Sequence, residues 1–187
     1  KVWWECDRGH EWEATIANRA NGKNCPKCNN QSSKSEMRIY TEMLAIFDNV
    51  ETRYKFDNFE VDIFIHDLSI AIEYDGRYWH KNKLKADNKK QDYVTAKGIQ
   101  LIRVREEPLG AISSNDIIVS PHKELSKGDL DNLLSGFRTA DSRISDYLSK
   151  DTFVNDKTFK TYLDYFPSPF PELSLATKNL TLASPRT

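Results

Sequence analysis

The chain has 187 residues, of which 39% are hydrophobic and 29% are charged, and its formal net charge is −1. This balance is typical of one folded domain of ordinary size with a small additional module, and it excludes a disordered chain. Apolar runs stay short of the ~20 residues that a transmembrane helix needs, and no signal-peptide pattern is recognisable. The near-neutral charge leaves nucleic-acid binding open, because such binding depends on how the charge is distributed.

Two pairs of candidate metal ligands occupy the first 28 residues. Cys6 and His10 form one pair, and Cys25 and Cys28 form the other. An odd number of cysteines cannot pair fully in disulfides, whereas zinc takes four such ligands in a tetrahedron. We therefore predict a structural zinc site in a zinc ribbon over residues 1–31. Because no export signal is recognisable, we also predict a reducing cytoplasmic location in a prokaryotic or phage-infected cell. The alternative is a set of unligated cysteines beside a surface histidine.

The text around these ligands carries a family resemblance. The motifs Val2-Trp3-Trp4-Glu5-Cys6, Gly9-His10-Glu11-Trp12 and Cys25-Pro26-Lys27-Cys28 resemble treble-clef or zinc-ribbon repeats, which occur in tandem in prokaryotic and phage proteins. Residues 170–173 and 176–181 resemble the stretch that precedes such a repeat, which implies further zinc-ribbon modules in the natural chain; a disordered tail is the alternative. Four basic residues in this region indicate a surface suited to phosphates, although a purely structural ribbon carries basic residues too. They are Arg8, Arg19, Lys23 and Lys27.

Residues 32–150 alternate helical and strand patterns and form the second predicted domain, which residues 151–187 follow as a C-terminal extension. Ser33 and Glu36 form a candidate capping box that opens the first helix. The order helix, three strands, helix, strand, helix predicts an α/β fold with a mixed sheet flanked by helices. The predicted elements are a helix over 33–47 with the apolar residues Ile39, Met43, Ala45, Ile46 and Phe47, strands over 50–56, 61–65, 69–74 and 99–104, and helices over 83–97 and 130–148, the last with core positions Leu133, Leu134, Phe137, Ile144 and Leu148.

Acidic residues cluster at the ends of two neighbouring predicted strands. Asp62 begins one strand, and Glu73 and Asp75 close the next, which we expect to pair with it. Carboxylates beside an apolar strand pair cost stability unless something binds them. Hard oxygen ligands of this kind suit Mg²⁺, which stabilises the charge that develops on a phosphodiester under attack. The sequence therefore predicts a magnesium site at one end of the sheet.

Glu36, Asp62, His80 and Asp87 follow one another at separations of 26, 18 and 7 residues. With the Trp79-His80 text and the strand that ends in Arg103-Val104, this pattern resembles the very-short-patch-repair endonucleases and the related phage homing endonucleases. These enzymes are a branch of the restriction-endonuclease-like fold. The resemblance spans residues 32–107 and implies that fold for this domain.

The resemblance also implies a role for each matching residue. Asp62 and the backbone carbonyl of Tyr74 would bind Mg²⁺, or Mn²⁺ in its place. His80 would act as general base or position the water, Asp87 would orient His80, and Glu36 would hold a water on the metal.

Several of these assignments have alternatives. Glu73 departs from the repair enzymes and resembles the second acid of the broader Asp…Glu-x-Lys nuclease pattern, whose lysine is replaced here by Asp75. Whether His80 alone supplies the base or Glu73 adds a metal ligand stays open. The structural alternatives are a helix-cap residue for Glu36, a solvated strand end for Asp62, a core histidine for His80 and a first-turn helix acid for Asp87.

A basic segment follows the proposed site. From Lys81 to Arg105 the chain has eight basic and two acidic residues, which predicts a path for a phosphate backbone. Arg77, Tyr78 and Trp79 add groups that can stack on bases or wedge between them. A solvated helix face explains the lysines equally well when they are taken alone. The basic residues are Lys81, Lys83, Lys85, Lys89, Lys90, Lys97, Arg103 and Arg105.

Together these features predict a metal-dependent endonuclease that hydrolyses phosphodiester bonds of double-stranded DNA, of the homing or defence type. One alternative is a non-catalytic zinc-ribbon DNA-binding protein with a degenerate nuclease fold. Another is an interaction scaffold whose ribbon docks protein partners. Intact DNA in the presence of Mg²⁺ favours the first alternative, and a lack of salt-dependent DNA binding favours the second.

Overall fold

The computed structural model describes residues 1–5, 9, 11–20, 25, 33–121 and 124–165. The chain divides into two compact units, one containing Lys1–Gln31 and the other formed by Ser32–Thr161. Among the described residues, no helix has the length and apolar composition that crossing a membrane would take.

The N-terminal unit contains a hairpin followed by a short helix. Strand β1 (Val2–Glu5) pairs antiparallel with β2 (Glu11–Ala14), and helix α1 (Ile16–Ala20) follows. Trp4 is buried and lies opposite Trp12 in the hairpin register. The predicted ribbon therefore includes a helix that the sequence analysis did not predict.

The second unit is a five-stranded mixed sheet flanked by helices, as predicted. The first helix begins where Ser33 Oγ accepts a hydrogen bond of 3.1 Å from Glu36 N, which satisfies one of the unpaired amides of the first turn. A short 3₁₀ helix, His66–Leu68, joins β4 to β5. The elements are α2 (Lys34–Ile46), β3 (Val50–Phe56), β4 (Phe59–Ile65), β5 (Ile70–Asp75), α3 (Arg77–His80), α4 (Leu84–Ala96), β6 (Gln100–Glu106), β7 (Ile117–Val119), α5 (Lys127–Ser135), α6 (Ser142–Leu148) and α7 (Asp156–Tyr165).

The strand order across the sheet is β3-β4-β5-β6-β7. The first three strands are antiparallel neighbours, whereas β6 runs parallel to both β5 and β7. Parallel neighbours need a crossover, and α3 and α4 supply it between β5 and β6. This connection places α3 directly after the end of β5.

Two apolar clusters cover the two faces of the sheet. Helices α2, α5 and α6 pack on one face, and α4 packs on the other. The β5 residues contribute alternately to the two clusters, as the two-residue period of a strand requires. The first cluster includes Ile39, Met43, Ile63, Ile65, Ile70, Ile72, Ile102, Leu130, Leu133, Ile144 and Tyr147, and the second contains Val61, Phe64, Ala71, Val94 and Leu101.

The alternation in β4 is interrupted at Asp62. Val61 belongs to the cluster below α4, whereas Ile63, two residues later, belongs to the opposite cluster. The register pairs Thr52 with Ile63 and Tyr54 with Val61, so Arg53 lies opposite Asp62, and its φ of 54° is left-handed. Such backbone angles are uncommon for a residue with a side chain, and the strand is therefore locally irregular at the predicted site.

The long helix predicted over residues 130–148 is wrong. Helix α5 ends at Ser135 with Gly136 as its C-cap, and α6 begins anew where the Asp141 side chain accepts a hydrogen bond from Arg143 N. These two end signals override the apolar periodicity, which continues across the break. Two predicted core positions, Ala45 and Leu148, are exposed.

The compact unit runs beyond the predicted domain end at residue 150 because of a buried arginine on α2. The Arg38 guanidinium lies 4.0 Å from the ring centroid of Phe153 and 3.5 Å from that of Phe159. Its Nη2 also pairs with Glu124 at 2.5 Å and with Asp156 at 2.8 Å. The start of α7 is therefore fixed against α2.

Candidate functional site

The sheet opens between β4 and β5 at the predicted acidic site. Their paired register ends at Ile63 and Ile72, so the residues next to them toward the open end are Asp62 and Glu73. Asp62 Oδ2 accepts a hydrogen bond of 2.8 Å from Tyr74 N, in place of a backbone ladder bond. The half-buried Asp62 side chain is therefore fixed at the point where the two strands separate.

Burial and like charge both act on the acids at this opening. Burial, followed by repulsion from Glu36, raises the pKa of Asp62 to about 7. Burial, followed by repulsion from Asp62, raises the pKa of Glu73 to about 7. Asp62 is therefore close enough to both Glu36 and Glu73 for like-charge repulsion with each of them.

Both oxygens of Glu73 have basic partners. Oε1 accepts a hydrogen bond from Lys90 Nζ, and Oε2 lies 3.2 Å from Arg103 Nη1. Lys90 was predicted to face DNA, but its half-buried side chain reaches from α4 toward the acidic site instead. The Asp…Glu-x-Lys pattern has a lysine two residues after its second acid, where this chain has Asp75. Lys90 brings an ammonium group to Glu73 from another part of the sequence.

His80 ends the four-residue helix α3 and faces two carboxylates. Its Nδ1 lies 3.1 Å from Asp87 Oδ2 and 3.3 Å from Asp75 Oδ1. Ionised carboxylates only accept hydrogen bonds, so this arrangement places the ring proton on Nδ1. The structure thus brings His80 and Asp87 into contact, and the orienting role of Asp87 stays a prediction.

Glu106 on β6 connects the sheet to α3. One of its oxygens accepts a hydrogen bond of 2.6 Å from the Tyr74 hydroxyl, and the other accepts one of 3.1 Å from Arg77 N. This carboxylate satisfies a free amide at the start of α3 and thereby fixes the helix that carries His80. Nothing in the sequence alone distinguished Glu106 from its neighbour Glu107.

Arg103 and Arg105, which were predicted to face DNA, are buried, and that prediction is wrong. Their side chains are 0% and 2% exposed. They lie on β6 directly opposite Glu73 and Asp75 of β5 in the parallel register. The matching signal was present in the sequence: two basic residues two positions apart in one apolar strand, and two acids two positions apart in another. Aligning the two strands as parallel neighbours would have paired them.

The carboxylate oxygens of Asp75 and Asp87 and a ring nitrogen of His80 all lie within 4.8 Å of one another, which is compatible with one metal ion. Asp62 does not belong to this group. The Asp75 carboxylate is already neutralised by Arg103 and Arg105, which it contacts through hydrogen bonds. The arginines therefore take the place that a cation would fill.

The predicted DNA-facing side chains of α3 and the start of α4 lie at the surface. Tyr78 and Trp79 are 72% and 70% exposed, and their ring centroids are 5.0 Å apart. Because these large aromatic rings are not packed in the protein interior, they are available for contact with a ligand. The neighbouring side chains Arg77, Lys81, Lys83, Lys85 and Lys89 are exposed as well.

The N-terminal unit is described only in part around its predicted zinc ligands. Cys25 is buried, with 3% of its surface exposed, whereas Cys6, His10 and Cys28 lie outside the described residues. The Arg19 guanidinium lies 5.4 and 5.5 Å from the ring centroids of Trp4 and Trp12, so this side chain packs on the hairpin instead of presenting a free phosphate contact. The other predicted phosphate contacts, Arg8, Lys23 and Lys27, and the predicted ribbon lead-in at residues 170–181 also lie outside the described residues.

Residues 1–31 match the family model described as "Probable Treble clef zinc finger domain". Comparisons with curated proteins and with solved structures find no significant match. The N-terminal region is thus zinc-finger-like, and the match supports Zn²⁺ as its metal. The resemblance of residues 32–107 to repair and homing endonucleases stays a prediction.

Proposed function

We propose that the chain is a metal-dependent DNA endonuclease in which the second compact unit hydrolyses phosphodiester bonds. The zinc-finger-like region adds a further contact with nucleic acid. The observation that carries the proposal is the acidic opening between β4 and β5, where Asp62 and Glu73 adjoin Asp75, and Asp75 in turn contacts His80.

Mg²⁺ fits the donors at this opening. Asp62 offers a carboxylate whose raised pKa reflects burial and repulsion from Glu36, and a divalent cation would offset both. Asp62 and the backbone carbonyl of Tyr74 would hold the ion, with Glu36 and Glu73 beside it. When bound, Mg²⁺ supplies positive charge that stabilises the oxyanion of a phosphodiester under attack.

His80 and Lys90 would assist the reaction from two sides. With its proton on Nδ1, His80 has a lone pair on Nε2 that can accept a proton from the attacking water. Lys90, bound to Glu73, supplies the ammonium that the Asp…Glu-x-Lys pattern places two residues after the second acid. Burial and Glu36 raise the pKa of Asp62, and the positive charge of Lys90 offsets part of that rise, which supports a position of Lys90 close to both acids.

Double-stranded DNA is the proposed substrate because of the surface beside the site. Exposed Tyr78 and Trp79 offer rings that can wedge between the base pairs of a duplex, and the lysines around the start of α4 offer charge for the phosphate backbone. These groups lie on the same short stretch of chain as His80, so bound DNA would pass the acidic opening.

A plasmid-cleavage assay tests the proposal. Supercoiled plasmid is incubated with the wild type, with Asp62→Asn and with the control Asp92→Asn, which removes an exposed acid on α4. The wild type and the control should nick or linearise DNA with Mg²⁺, and Asp62→Asn should leave it intact. Parallel incubations with EDTA and with no added Mg²⁺ test the metal requirement. The magnesium-free incubation is the decisive one, because EDTA also removes zinc from the finger.

A second candidate function is non-catalytic DNA binding, and the charge balance of the cluster favours it. The three acids Glu73, Asp75 and Asp87 are matched by Lys90, Arg103 and Arg105, so the network is neutral without a metal. Salt-dependent binding of the plasmid, together with DNA that stays intact with either Mg²⁺ or Mn²⁺, would establish this function and end the nuclease proposal.

A further inference from the structure

Arg103 and Arg105 are two fully buried guanidinium groups side by side on β6. A buried charge is tolerated only when it is paired and hydrogen-bonded. Arg103 Nη1 lies 3.0 Å from both oxygens of Asp75, and its Nη2 donates a hydrogen bond of 3.2 Å to the backbone carbonyl of Asp87. Arg105 Nη1 bonds Asp75 Oδ2 and lies 3.7 Å from Asp87 Oδ2.

Both carboxylates that the arginines contact also face His80. Asp75 turns Oδ2 toward Arg105 and Oδ1 toward His80 Nδ1, at 3.3 Å. Asp87 lies 3.1 Å from the same nitrogen, and Arg103 holds its backbone. Each arginine is therefore separated from the imidazole by one acidic residue.

We propose that Arg103 and Arg105 are positioning residues that hold Asp75 and Asp87 as paired acceptors for the His80 Nδ1 proton. This arrangement fixes the ring in the tautomer whose Nε2 carries the lone pair. A role for that lone pair in hydrolysis rests on the proposed nuclease function, but the tautomer itself does not.

Lysine would not substitute for Arg103, and at position 105 it would replace a rigid planar donor group by a flexible one. The planar guanidinium fork contacts two acceptors in fixed directions, whereas a lysine ammonium is a single point on a flexible chain. Arg103 uses both terminal nitrogens, one for the Asp75 side chain and one for the Asp87 backbone. An arginine-to-lysine change thus keeps the charge and removes the directional hold.

Ring ¹⁵N NMR of the histidines tests the proposal in the full chain at about pH 8.5, where an ordinary imidazole is neutral. The chain has four histidines, so the His80 signals are assigned by comparison with His80→Gln. The wild type should show the Nδ1–H tautomer. Arg103→Lys and Arg105→Lys should shift the ring toward a tautomer mixture, whereas Arg38→Lys, at another buried and ion-paired arginine, should not.

A wild-type ring protonated on Nε2, or lysine variants with the wild-type tautomer, would overturn the proposal. If the lysine variants do not fold, Asp75→Asn/Arg105→Gln removes both charges together and leaves neither uncompensated. An unchanged tautomer in that double variant would also overturn it. Plasmid cleavage by the folded variants should fall on the order of 10- to 100-fold, as for other residues that orient a site histidine. A wild type that does not cleave DNA would refute the nuclease function without affecting the tautomer result.

Discussion

Asp62→Asn should make the protein more stable in buffer without magnesium. The ionised Asp62 carboxylate is disfavoured by burial and by repulsion from Glu36, which together raise its pKa to about 7. Asparagine has nearly the same shape, and its oxygen can still accept the hydrogen bond from Tyr74 N. The substitution therefore removes an unfavourable charge and keeps the contact, as expected where a binding site is maintained at a cost in stability.

The size of the gain follows from the pKa. A carboxyl whose pKa rises from 3.8 to about 7 is destabilised as an anion by about 4 kcal/mol relative to the unfolded chain. Asp62 is only half-buried, and relaxation of the surrounding groups reduces this penalty. We therefore expect a gain of about 2 kcal/mol at about pH 8, or roughly 4–8 °C in Tm.

The pH dependence has a definite sign. Because the folded-state pKa is raised, the folded protein binds the proton more tightly, and wild-type stability falls as the pH rises from about 4 to about 7. The advantage of Asp62→Asn should accordingly be full at about pH 8 and shrink as the pH falls toward 5. Glu73, whose pKa is raised to about 7 by burial and by Asp62, contributes in the same direction.

Urea unfolding followed by far-UV circular dichroism measures this effect for the wild type, Asp62→Asn and the exposed control Asp92→Asn. Millimolar Mg²⁺ should stabilise the wild type and the control, and it should leave Asp62→Asn unchanged, because only a site with Asp62 binds the ion tightly. An asparagine variant that is less stable than the wild type at about pH 8 would refute the reasoning.

Three further changes have separate expected outcomes. Glu42→Gln should lower the free energy of unfolding, measured by urea titration, by about 2–3 kcal/mol. The reason is that the buried Glu42 carboxylate accepts hydrogen bonds from the Tyr147 hydroxyl and the Val154 amide. Unchanged stability would contradict this prediction. Trp79→Ala should weaken binding to duplex DNA that contains a single-stranded gap by about 1–3 kcal/mol in fluorescence anisotropy without affecting stability, because the exposed ring can stack on an unpaired base; equal affinity would contradict a stacking role. Cys25→Ser should lose zinc in metal analysis of the purified chain, whereas full retention would remove Cys25 from the ligand set.

The secondary structure of the sheet was predictable because its signals are local. Ser33 caps α2 as predicted, and the strands over residues 50–56 and 61–65 appear within two residues of their predicted bounds. The three-residue strand β7 and the four-residue helix α3 were not predicted, since elements this short have no readable periodicity. The division of the 130–148 segment into two helices depends on end caps that compete with a continuous apolar pattern.

The sequence by itself determined the mixed sheet, the zinc-finger-like N-terminal region and the choice of Asp62, Glu73, His80 and Asp87 as candidate site residues. These rest on strand periodicity, ligand spacing and residue chemistry, which are properties of short stretches of chain.

Only the tertiary structure decided which charges meet. The parallel pairing of β5 with β6 turned Arg103 and Arg105 from predicted DNA contacts into buried partners of Asp75, and the packing of α4 brought Lys90 to Glu73. The sequence does not show whether a charged side chain lies in solvent or in the core. Its partner is set by strand register and by helix packing across long sequence separations, and a pattern within one segment cannot specify either of them.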